Sequence, residues 1–540
     1  MKRAMLCGVM AVLFLAAPAW AADPCSDPLT TAAGQLSGLS EKGSNTCVFR
    51  GIPYAAPPVG SLRWRAPEPA PAWTGVRPAT TWGARCMQEG FMDLINFDPS
   101  DKMSEDCLYL NIWRPKKSGS FPVMVWIHGG GYTEGTGNTP MYWGDRLAEA
   151  GDVVVVTFNY RLSVFGFLAT AALRAEDKNG SVGSYGSLDQ AAAIKWVHDN
   201  IAAFGGDPGN VTIFGESAGG WSVCTMLATP LTRGLIHRAI LESGGCLISA
   251  SVEKGYEQGR QTVEKLGCKP DDLPCLRALP AEKILKAATG GLTDGFVWMP
   301  HQDGYVLTDT PLKMIRSGNY NQIPFMAGSN KNEVDALLNL LPDLARAKPD
   351  QFEALLKKYL GVNDQEAAQL AALYPPSHYE DTGAAFGAAA TDGMLACPTY
   401  LGLLAASAGP AKTFYYRFDY HGMYMGEALG AVHAMEVPFV FNTLDRKPIS
   451  MLYPGKVKPP TAELAKTVQR YWLNFAHSGD PNGADLPAWP SFSAADPRTQ
   501  VLDMPVRTES SGNIEQCRFW DEYNQSHPPL TESMGNLGGK

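Results

Sequence analysis

One serine in this chain has neighbours suited to nucleophilic chemistry. Ser217 lies in the run Gly215-Glu-Ser-Ala-Gly219, after four strand-forming residues (211–214) and before a Pro-free stretch (218–227) that predicts a helix. A sharp strand-to-helix turn lifts the hydroxyl above the sheet, and glycines two residues before and after it avoid clashes with neighbouring elements. The helix N-terminus offers free N–H groups to an oxyanion. The pattern predicts a nucleophile elbow, although a chain with 55 glycines also produces such short motifs by chance.

A second glycine motif supports the first. Residues 121–127 predict a buried strand, and His128-Gly-Gly-Gly131 follows directly. Three glycines in a row let the backbone turn its N–H groups inward, which is what a second arm of an oxyanion hole requires. The simpler interpretation is a flexible turn. We expect the donors to be the N–H groups of Gly130, Gly131 and Ala218.

The elements around these motifs predict an α/β doubly wound fold. Further strands are predicted at 152–158 and 323–328, and a helix at 187–204, so strands and helices alternate. The Pro-rich, aromatic segment 49–67 is predicted to be an extended loop packed on the surface.

The N-terminus has the features of a secretory signal peptide. Lys2 and Arg3 precede an apolar run that is too short for a permanent membrane anchor, and an A-x-A site ends at Ala21. We therefore expect residues 1–21 to be removed and the protein to be secreted or periplasmic. Removal takes two positive charges from a net charge of −9 and leaves −11. Such an acidic chain is a poor partner for nucleic acid or anionic membranes.

Cysteine usage agrees with export. Of eleven cysteines, Cys7 leaves with the signal peptide, and an even number in an exported protein indicates disulfides. Cys268 and Cys275 flank a short polar loop that they could close. Neither C-x-x-C nor H-E-x-x-H spacing occurs, so metal binding is not expected.

The motifs together carry a family resemblance. The chain resembles the type B carboxylesterases, which include cholinesterases, liver-type carboxylesterases and bacterial para-nitrobenzyl esterases. The matching segments cover nearly the whole mature chain and are Ser104-Glu-Asp-Cys-Leu-Tyr-Leu-Asn111, His128-Gly-Gly-Gly131, Phe204–Gly220, Gly430-Ala-Val-His433, and Asn474-Phe-Ala476 with Gly479-Asp-Pro-Asn482.

The resemblance implies a fold and an activity. It implies one α/β-hydrolase domain over residues 22–540, with a mostly parallel sheet and long inserted loops. The residues at 535–540 themselves predict a loose tail. The resemblance also implies a serine esterase that needs no cofactor or metal, acts on a small-molecule ester and has no membrane anchor. The oligomeric state stays open. The implied disulfides are Cys86–Cys107, Cys268–Cys275 and Cys397–Cys517; Cys25–Cys47 is our guess for a fourth, and the family pattern leaves Cys224 and Cys246 open.

Ester hydrolysis by a serine needs a base and an orienting acid. In this fold the chain order is serine, acid, histidine. Glu333 follows the 323–328 strand, where active-site groups collect, and fits the family pattern except that Val334 replaces a glycine. Asp335 is the alternative acid, and Asp303, which lies in an Asp-Gly turn, is a weaker candidate.

Nine histidines compete for the role of base. His128 and His198 precede the serine, and His237 and His301 come before the acid. His433 lies in a Gly-led loop where the family has its catalytic histidine, although Ala434 stands where glycine is usual. His421 is the main competitor, and His477 is interpreted as structural.

Four more residues are candidates for supporting roles. Glu216 either tunes the field at the nucleophile or is a satisfied buried carboxylate. Ser243 resembles a family serine behind the active site. Phe296 and Trp298 resemble the segment that shapes the acyl pocket, and the alternative is that both are ordinary core aromatics. A ring as large as Trp298 in the pocket predicts a preference for acetyl to butyryl esters.

Two other functions remain open. The family also contains noncatalytic adhesion proteins, but these typically lack a triad member, and none is missing here. Within the enzymes, esterases of larger natural or mycotoxin polyesters, such as the fumonisin esterases, have the same catalytic residues.

Overall fold

The computed structural model describes residues 23–90, 98–100, 102–288, 297–338, 341–423, 426–453 and 456–530. The predicted signal peptide and the predicted tail lie outside these ranges. The strands are β1 Leu29–Thr31, β2 Gly34–Ser37, β3 Leu39–Ser40, β4 Thr46–Pro53, β5 Val76–Pro78, β6 Tyr109–Pro115, β7 Phe121–Ile127, β8 Val154–Phe158, β9 Gly206–Glu216, β10 Arg238–Glu242, β11 Ala250–Ser251, β12 His301–Gln302, β13 Phe325–Asn330, β14 Thr413–Phe418, β15 Arg498–Leu502 and β16 Arg507–Ser510.

The α-helices lie between and after these strands. They are α1 Asp145–Gly151, α2 Ser163–Phe167, α3 Ala171–Glu176, α4 Tyr185–Asn200, α5 Ala218–Ala228, α6 Val252–Leu266, α7 Leu273–Ala278, α8 Ala281–Ala287, α9 Pro311–Arg316, α10 Asp335–Leu338, α11 Phe352–Leu360, α12 Asp364–Leu373, α13 Thr382–Thr391, α14 Cys397–Ala406, α15 Gly426–Leu429, α16 Val437–Val440, α17 Pro459–Ser478 and α18 Ile514–Ser526.

A large mixed sheet is the centre of the described structure. Its eleven strands run in the order β16-β15-β14-β13-β10-β9-β7-β8-β6-β4-β3. Every pair from β8 through β7, β9, β10, β13 and β14 to β15 is parallel, whereas the pairs at both ends are antiparallel. The predicted α/β-hydrolase fold with a mostly parallel sheet is confirmed.

Both faces of the sheet are covered. Along β7, Val123 and Val125 belong to one apolar cluster, and Met124 and Trp126 belong to the other. This alternation arises because successive side chains of a strand point to opposite faces. Helix α5 packs on the first face, and α17 packs on the second. A strand that is buried on both faces has a continuous apolar sequence, and for this reason β7 and β8 are predictable from the sequence.

Two sequence expectations need correction. Residues 49–53 are not part of a surface loop, because they belong to β4, whose Phe49 and Ile52 are fully buried and pair with β6. The strand before Ser217 is also longer than the predicted run at 211–214, since β9 begins at Gly206, within Gly205-Gly-Asp-Pro208, whose residue types favour a turn. In both cases the strand is formed by pairing with distant segments, which overrides local turn signals.

Five disulfides link the described chain. Cys25–Cys47, Cys86–Cys107, Cys268–Cys275 and Cys397–Cys517 agree with the expected pairs. The two cysteines left open pair with each other, as Cys224–Cys246. A search of the described helices finds none with the length and apolarity that crossing a membrane requires.

Candidate active site

Ser217 lies at a tight turn between β9 and α5. Its backbone has φ 59° and ψ −124°, and its N–H donates to the carbonyl of Glu242 at 2.9 Å. A Cβ on Gly215 would lie 2.6 Å from the carbonyl oxygen of Ile127, and one on Gly219 would lie 2.0 Å from it. Only glycine fits at either position. Strained backbone of this kind costs about 1–3 kcal/mol, and here it exposes the hydroxyl at the carboxyl end of the parallel strands.

The glycine loop after β7 faces the serine. A Cβ on Gly129 would lie 3.0 Å from the Cβ of Ser217, so the loop and the elbow are in direct contact. Gly130 and Gly131 have φ angles of 105° and 60°, which other residues rarely adopt. Ala218 is the first residue of α5, where N–H groups have no acceptor within the helix. The three expected oxyanion donors therefore come from two elements that meet at Ser217.

His128 supports this loop from behind. Its buried ring donates from Nδ1 to the carbonyl of Gly129 at 2.9 Å and stacks on Tyr160 with centroids 4.4 Å apart. Burial, partly opposed by the bond to Gly129, lowers the pKa of His128 to about 4. A neutral ring with its proton on Nδ1 is a structural element of the glycine loop and not a free base.

Glu333 and His433 are in contact. Nδ1 of His433 donates to Oε2 of Glu333 at 2.7 Å, across one hundred residues of chain. The other oxygen, Oε1, accepts the N–H of Asn330 at 2.6 Å, and the N–H of His433 donates to the carbonyl of Glu333 at 3.3 Å. Two loops that follow neighbouring parallel strands, β13 and β14, hold these two side chains. The acid is buried, whereas the imidazole remains a third exposed.

Glu216 lies on the other side of the imidazole. Its Oε1 is 3.1 Å from Nε2 of His433, but this contact is not aligned as a hydrogen bond, and Oε1 has no hydrogen-bond partner. Burial, with the Glu333 charge adding to it and His433 opposing it, raises the pKa of Glu216. Burial lowers the pKa of His433, but the charges of Glu216 and Glu333 outweigh that effect and raise it above its ordinary value. Glu216 therefore interacts with the predicted base at Nε2, the nitrogen that does not contact Glu333.

The alternative acids have other partners. Asp335 accepts from Nδ2 of Asn332 at 2.7 Å, and Asp303 accepts from the hydroxyl of Ser181 and from the backbone of Tyr305 and Val306.

The alternative bases are also placed elsewhere. Nδ1 of His421 lies near the carbonyl of Asp419, the ring of His301 bonds Gly183, and His477 bonds Gly151. His198 lies against Asp199 on the surface, and His237 contacts the N–H of Val211. Among the histidines of the described chain, His433 is the one that bonds the predicted acid.

The supporting residues divide into two groups. Ser243 is buried, with φ 49°, and its hydroxyl lies 3.4 Å from Oε1 of Glu436. Trp298 is buried in the first apolar cluster, and Phe296 lies outside the described residues. The proposed acyl pocket thus remains a prediction.

Sequence reasoning missed two residues of this site. Glu436 is fully buried three residues after His433, and Asn330 is buried at the end of β13. The family loop places a glutamate three residues after its histidine, so a signal for Glu436 was present. No sequence signal marks Asn330, because its side-chain contacts, Val432 and Glu436, lie in a different loop. In the described chain, no group of three or more His, Cys, Asp or Glu side chains could hold a metal ion.

Comparisons with known proteins identify the family of the chain. A family model described as "Carboxylesterase family" matches residues 26–520. The chain belongs to the carboxylesterase family. It is 35% identical to the para-nitrobenzyl esterase of Bacillus subtilis over 90% of this chain and 97% of that protein. It is 34% identical to the liver carboxylesterase of Sus scrofa over 93% and 94% of the two chains.

Solved structures give the same result. A structure titled PNB esterase aligns with a TM-score of 0.77 and 34% identity, covering 92% of this chain and all of that one. A carboxylesterase structure from Geobacillus stearothermophilus aligns with a TM-score of 0.79 and 36% identity, covering 91% and 99%. The protein is a carboxylic ester hydrolase with small-molecule esters as its class of substrate.

Proposed function

We propose that this carboxylesterase works through an acyl-enzyme on Ser217, with His433 as the base and Glu333 as the acid that orients it. The observation that carries the proposal is the 2.7 Å bond between His433 Nδ1 and Glu333 Oε2, together with the φ of 59° at Ser217. That bond leaves Nε2 directed away from the acid, as the base of a serine hydrolase requires.

The first half of the reaction forms the acyl-enzyme. Nε2 of His433 takes the hydroxyl proton of Ser217 while Oγ attacks the ester carbonyl carbon. Glu333 stabilises the imidazolium that results, and the N–H groups of Gly130, Gly131 and Ala218 bind the new oxyanion. When the oxyanion collapses, the C–O bond of the ester breaks and the alcohol leaves with the proton from Nε2.

The second half repeats these steps with water. His433 takes a proton from the water molecule, which attacks the acyl carbon, and the same N–H groups bind the second oxyanion. Collapse then returns the proton to Ser217 Oγ and releases the carboxylic acid. Both halves use the same base and the same donors, so no further catalytic group is needed.

The nucleophile is tested by Ser217→Ala. We expect unchanged folding and a loss of ester hydrolysis by several orders of magnitude, because the oxyanion hole alone retains little catalysis. A fluorescent phosphonate should label wild type and not the variant. Labelling of the variant at the wild-type rate would contradict the assignment of Ser217.

We further propose that the acyl pocket is small. If Trp298 lines it, acetyl to butyryl esters should be preferred, because an added methylene that fits gains about 1 kcal/mol and one that collides costs more. The test is kcat/KM over a series of 4-nitrophenyl esters for wild type and Trp298→Ala. We expect the variant to move toward longer acyl groups; a wild-type optimum at eight carbons, or an unmoved variant profile, would refute the small pocket.

The name of one relative supports a larger ester as the alternative substrate. The fumonisin B1 esterase of Sphingopyxis macrogoltabida is 35% identical over 86% of this chain and 84% of that protein. A panel that includes a polyester of a long-chain polyol besides the 4-nitrophenyl esters separates the two substrate classes.

Export is a separate part of the proposal. It is supported by the Lys2-Arg3 start, the apolar run and the five disulfides, which persist in oxidising compartments. N-terminal sequencing of protein from the periplasm or medium should begin at Ala22.

A further inference from the structure

Asn330 is the last residue of β13 and makes three short hydrogen bonds. Its N–H donates to Glu333 Oε1 at 2.6 Å, and its side-chain Nδ2 donates to the carbonyl of Val432 at 2.8 Å and to Glu436 Oε2 at 2.6 Å. The residue is 1% exposed. One side chain thus joins the strand that carries the acid to the loop that carries the base.

The two acceptors on the loop lie on either side of the base. Val432 immediately precedes His433, and Glu436 follows it by three residues, at the start of α16. Between them, Ala434 has φ 65°, so this short turn is held in a conformation that non-glycine residues rarely adopt. A single amide group therefore fixes both ends of a strained turn that has His433 inside it.

We propose that Asn330 is a positioning residue that sets the distance between Glu333 and His433. This inference rests on the proposed catalytic triad. An asparagine amide supplies two N–H donors from one nitrogen, which matches the two acceptors. A leucine side chain has a similar shape to asparagine but offers no donor. An ionised aspartate also has a similar shape and no donor, and it adds a negative charge.

The placement matters because few bonds hold the imidazole. His433 is anchored through Nδ1 to Glu333 and through its own N–H to the Glu333 carbonyl. Loss of the Asn330 bonds would leave a buried carbonyl and a buried carboxyl without their donor, and the turn would move to find another. A displacement of about 1 Å between catalytic groups lowers rates by on the order of 100-fold.

The first test is Asn330→Leu. We expect kcat/KM for 4-nitrophenyl acetate to fall by roughly 100-fold, with KM changed by less than about threefold, because positioning acts on the chemical step. The pH at which kcat/KM is half-maximal on its acid side should decrease, since a looser contact with Glu333 stabilises the imidazolium less. Asn330→Ser keeps one donor and should give an intermediate loss of kcat/KM. It can replace the leucine variant in this test if that variant does not fold.

Asn330→Asp should instead raise the pH at which kcat/KM is half-maximal on its acid side. The negative charges of Glu216, Glu333 and Glu436 already raise the pKa of His433, and a further carboxylate at position 330, beside Glu436, should raise it more. If Asn330 has only a structural role, all three variants should be less stable than wild type, and all three should keep the wild-type acid-side midpoint. That result would overturn the proposal.

Asn321→Leu is the matched control. Asn321 is also buried, and its Nδ2 donates to the carbonyls of Met226 and Leu227, far from His433. Its substitution should lower the melting temperature about as much as Asn330→Leu, while the acid-side midpoint stays at the wild-type pH. An equal pH shift in this control would show that loss of stability alone moves the profile, and would also overturn the proposal.

Phosphonate labelling separates this inference from the proposed function. In Asn330→Leu the label should still attach to Ser217, but at a rate reduced in proportion to kcat/KM. A wild-type labelling rate and wild-type kcat/KM in Asn330→Leu, with Ser217→Ala inactive, would overturn the role of Asn330 and leave the function intact. An active Ser217→Ala would overturn both.

Discussion

At the scale of single residues, the candidate site contains a cluster of buried carboxyl groups. Glu216, Glu242, Glu333 and Glu436 are all at most 3% exposed. Burial, together with the charge of Glu216, raises the pKa of Glu242 and of Glu436 above ordinary values. Glu242 accepts from Nε1 of Trp472 at 2.7 Å, which neutral and ionised carboxyls both allow. Buried like charges share protons, so Glu216, Glu242 and Glu436 titrate together.

Glu216→Gln tests the effect of this charge on the base. Glu216 raises the pKa of His433, and the base works only when neutral, so wild-type kcat/KM should rise with pH to a midpoint above the ordinary histidine value of about 6.5. Removing the charge lowers that pKa, so the acid-side midpoint should move to lower pH. Glu253→Gln, an exposed substitution on α6, is the control and should leave the midpoint unchanged. A midpoint that moves upward in Glu216→Gln would contradict the electrostatic role.

Glu333→Gln tests the identity of the acid. The amide keeps the shape but removes the charge that stabilises the imidazolium, so kcat should fall on the order of 10³–10⁴-fold. Asp335→Asn should change kcat by less than about tenfold, because Asp335 bonds Asn332 and not His433. Single-turnover and steady-state rates of both variants decide between the two acids, and a crippled Asp335→Asn beside a mild Glu333→Gln would reverse the assignment.

The residues of the site differed in how far the sequence predicted them. The strand-to-helix turn at Ser217 was predictable because its constraints are local: two glycines, a strand and a helix. Glu333 and His433 needed the chain order of the fold and the resemblance, since one hundred residues separate them. Asn330 was not predictable, because its role depends on Val432 and Glu436, which approach it only after β13 and β14 pair.

At the scale of elements, the nucleophile turn is fixed by close contact between backbones. The first turn of α5 lies against the segment after β10, since a Cβ on Gly220 would be 2.9 Å from Cα of Gly244. Four residues further along α5, Cys224 is joined to Cys246 in the same segment. The helix that supplies the Ala218 N–H is therefore held at two successive turns. The sequence indicated the helix and the glycines but not this contact, because Cys224 and Cys246 had no assigned partner.

Gly219→Ala should disable the elbow. Its Cβ would lie 2.0 Å from the carbonyl oxygen of Ile127, and main chain at the centre of the sheet has little room to move. We expect kcat/KM to fall by at least about 100-fold and the rate of phosphonate labelling to fall with it. Gly209→Ala is the control, because that position is exposed and its Cβ would meet only the side chain of Asp207 at 3.2 Å. Wild-type activity in Gly219→Ala would show that the turn relaxes freely.

At the scale of the whole molecule, the disulfides connect parts that the sheet does not. Cys397–Cys517 joins α14 to α18, the last helix of the described chain, across 120 residues. Cys268–Cys275 closes a loop with a sequence separation of 7 in a polar surface segment. The first link restrains a large portion of the unfolded chain, whereas the second restrains a small one.

The two links should therefore differ in their contribution to stability. Loop-closure entropy predicts about 5 kcal/mol for the long loop and about 2 kcal/mol for the short one. We expect Cys397→Ser/Cys517→Ser to lower the melting temperature clearly more than Cys268→Ser/Cys275→Ser, because Cys397 and Cys517 are also buried and their removal leaves a cavity between two packed helices. At 25 °C both variants that fold should keep the wild-type kcat, since neither pair contacts Ser217, Glu333 or His433. If unfolding is irreversible, inactivation half-lives at one temperature replace the melting temperature. An equal loss from both pairs would contradict both the loop-closure argument and the packing argument.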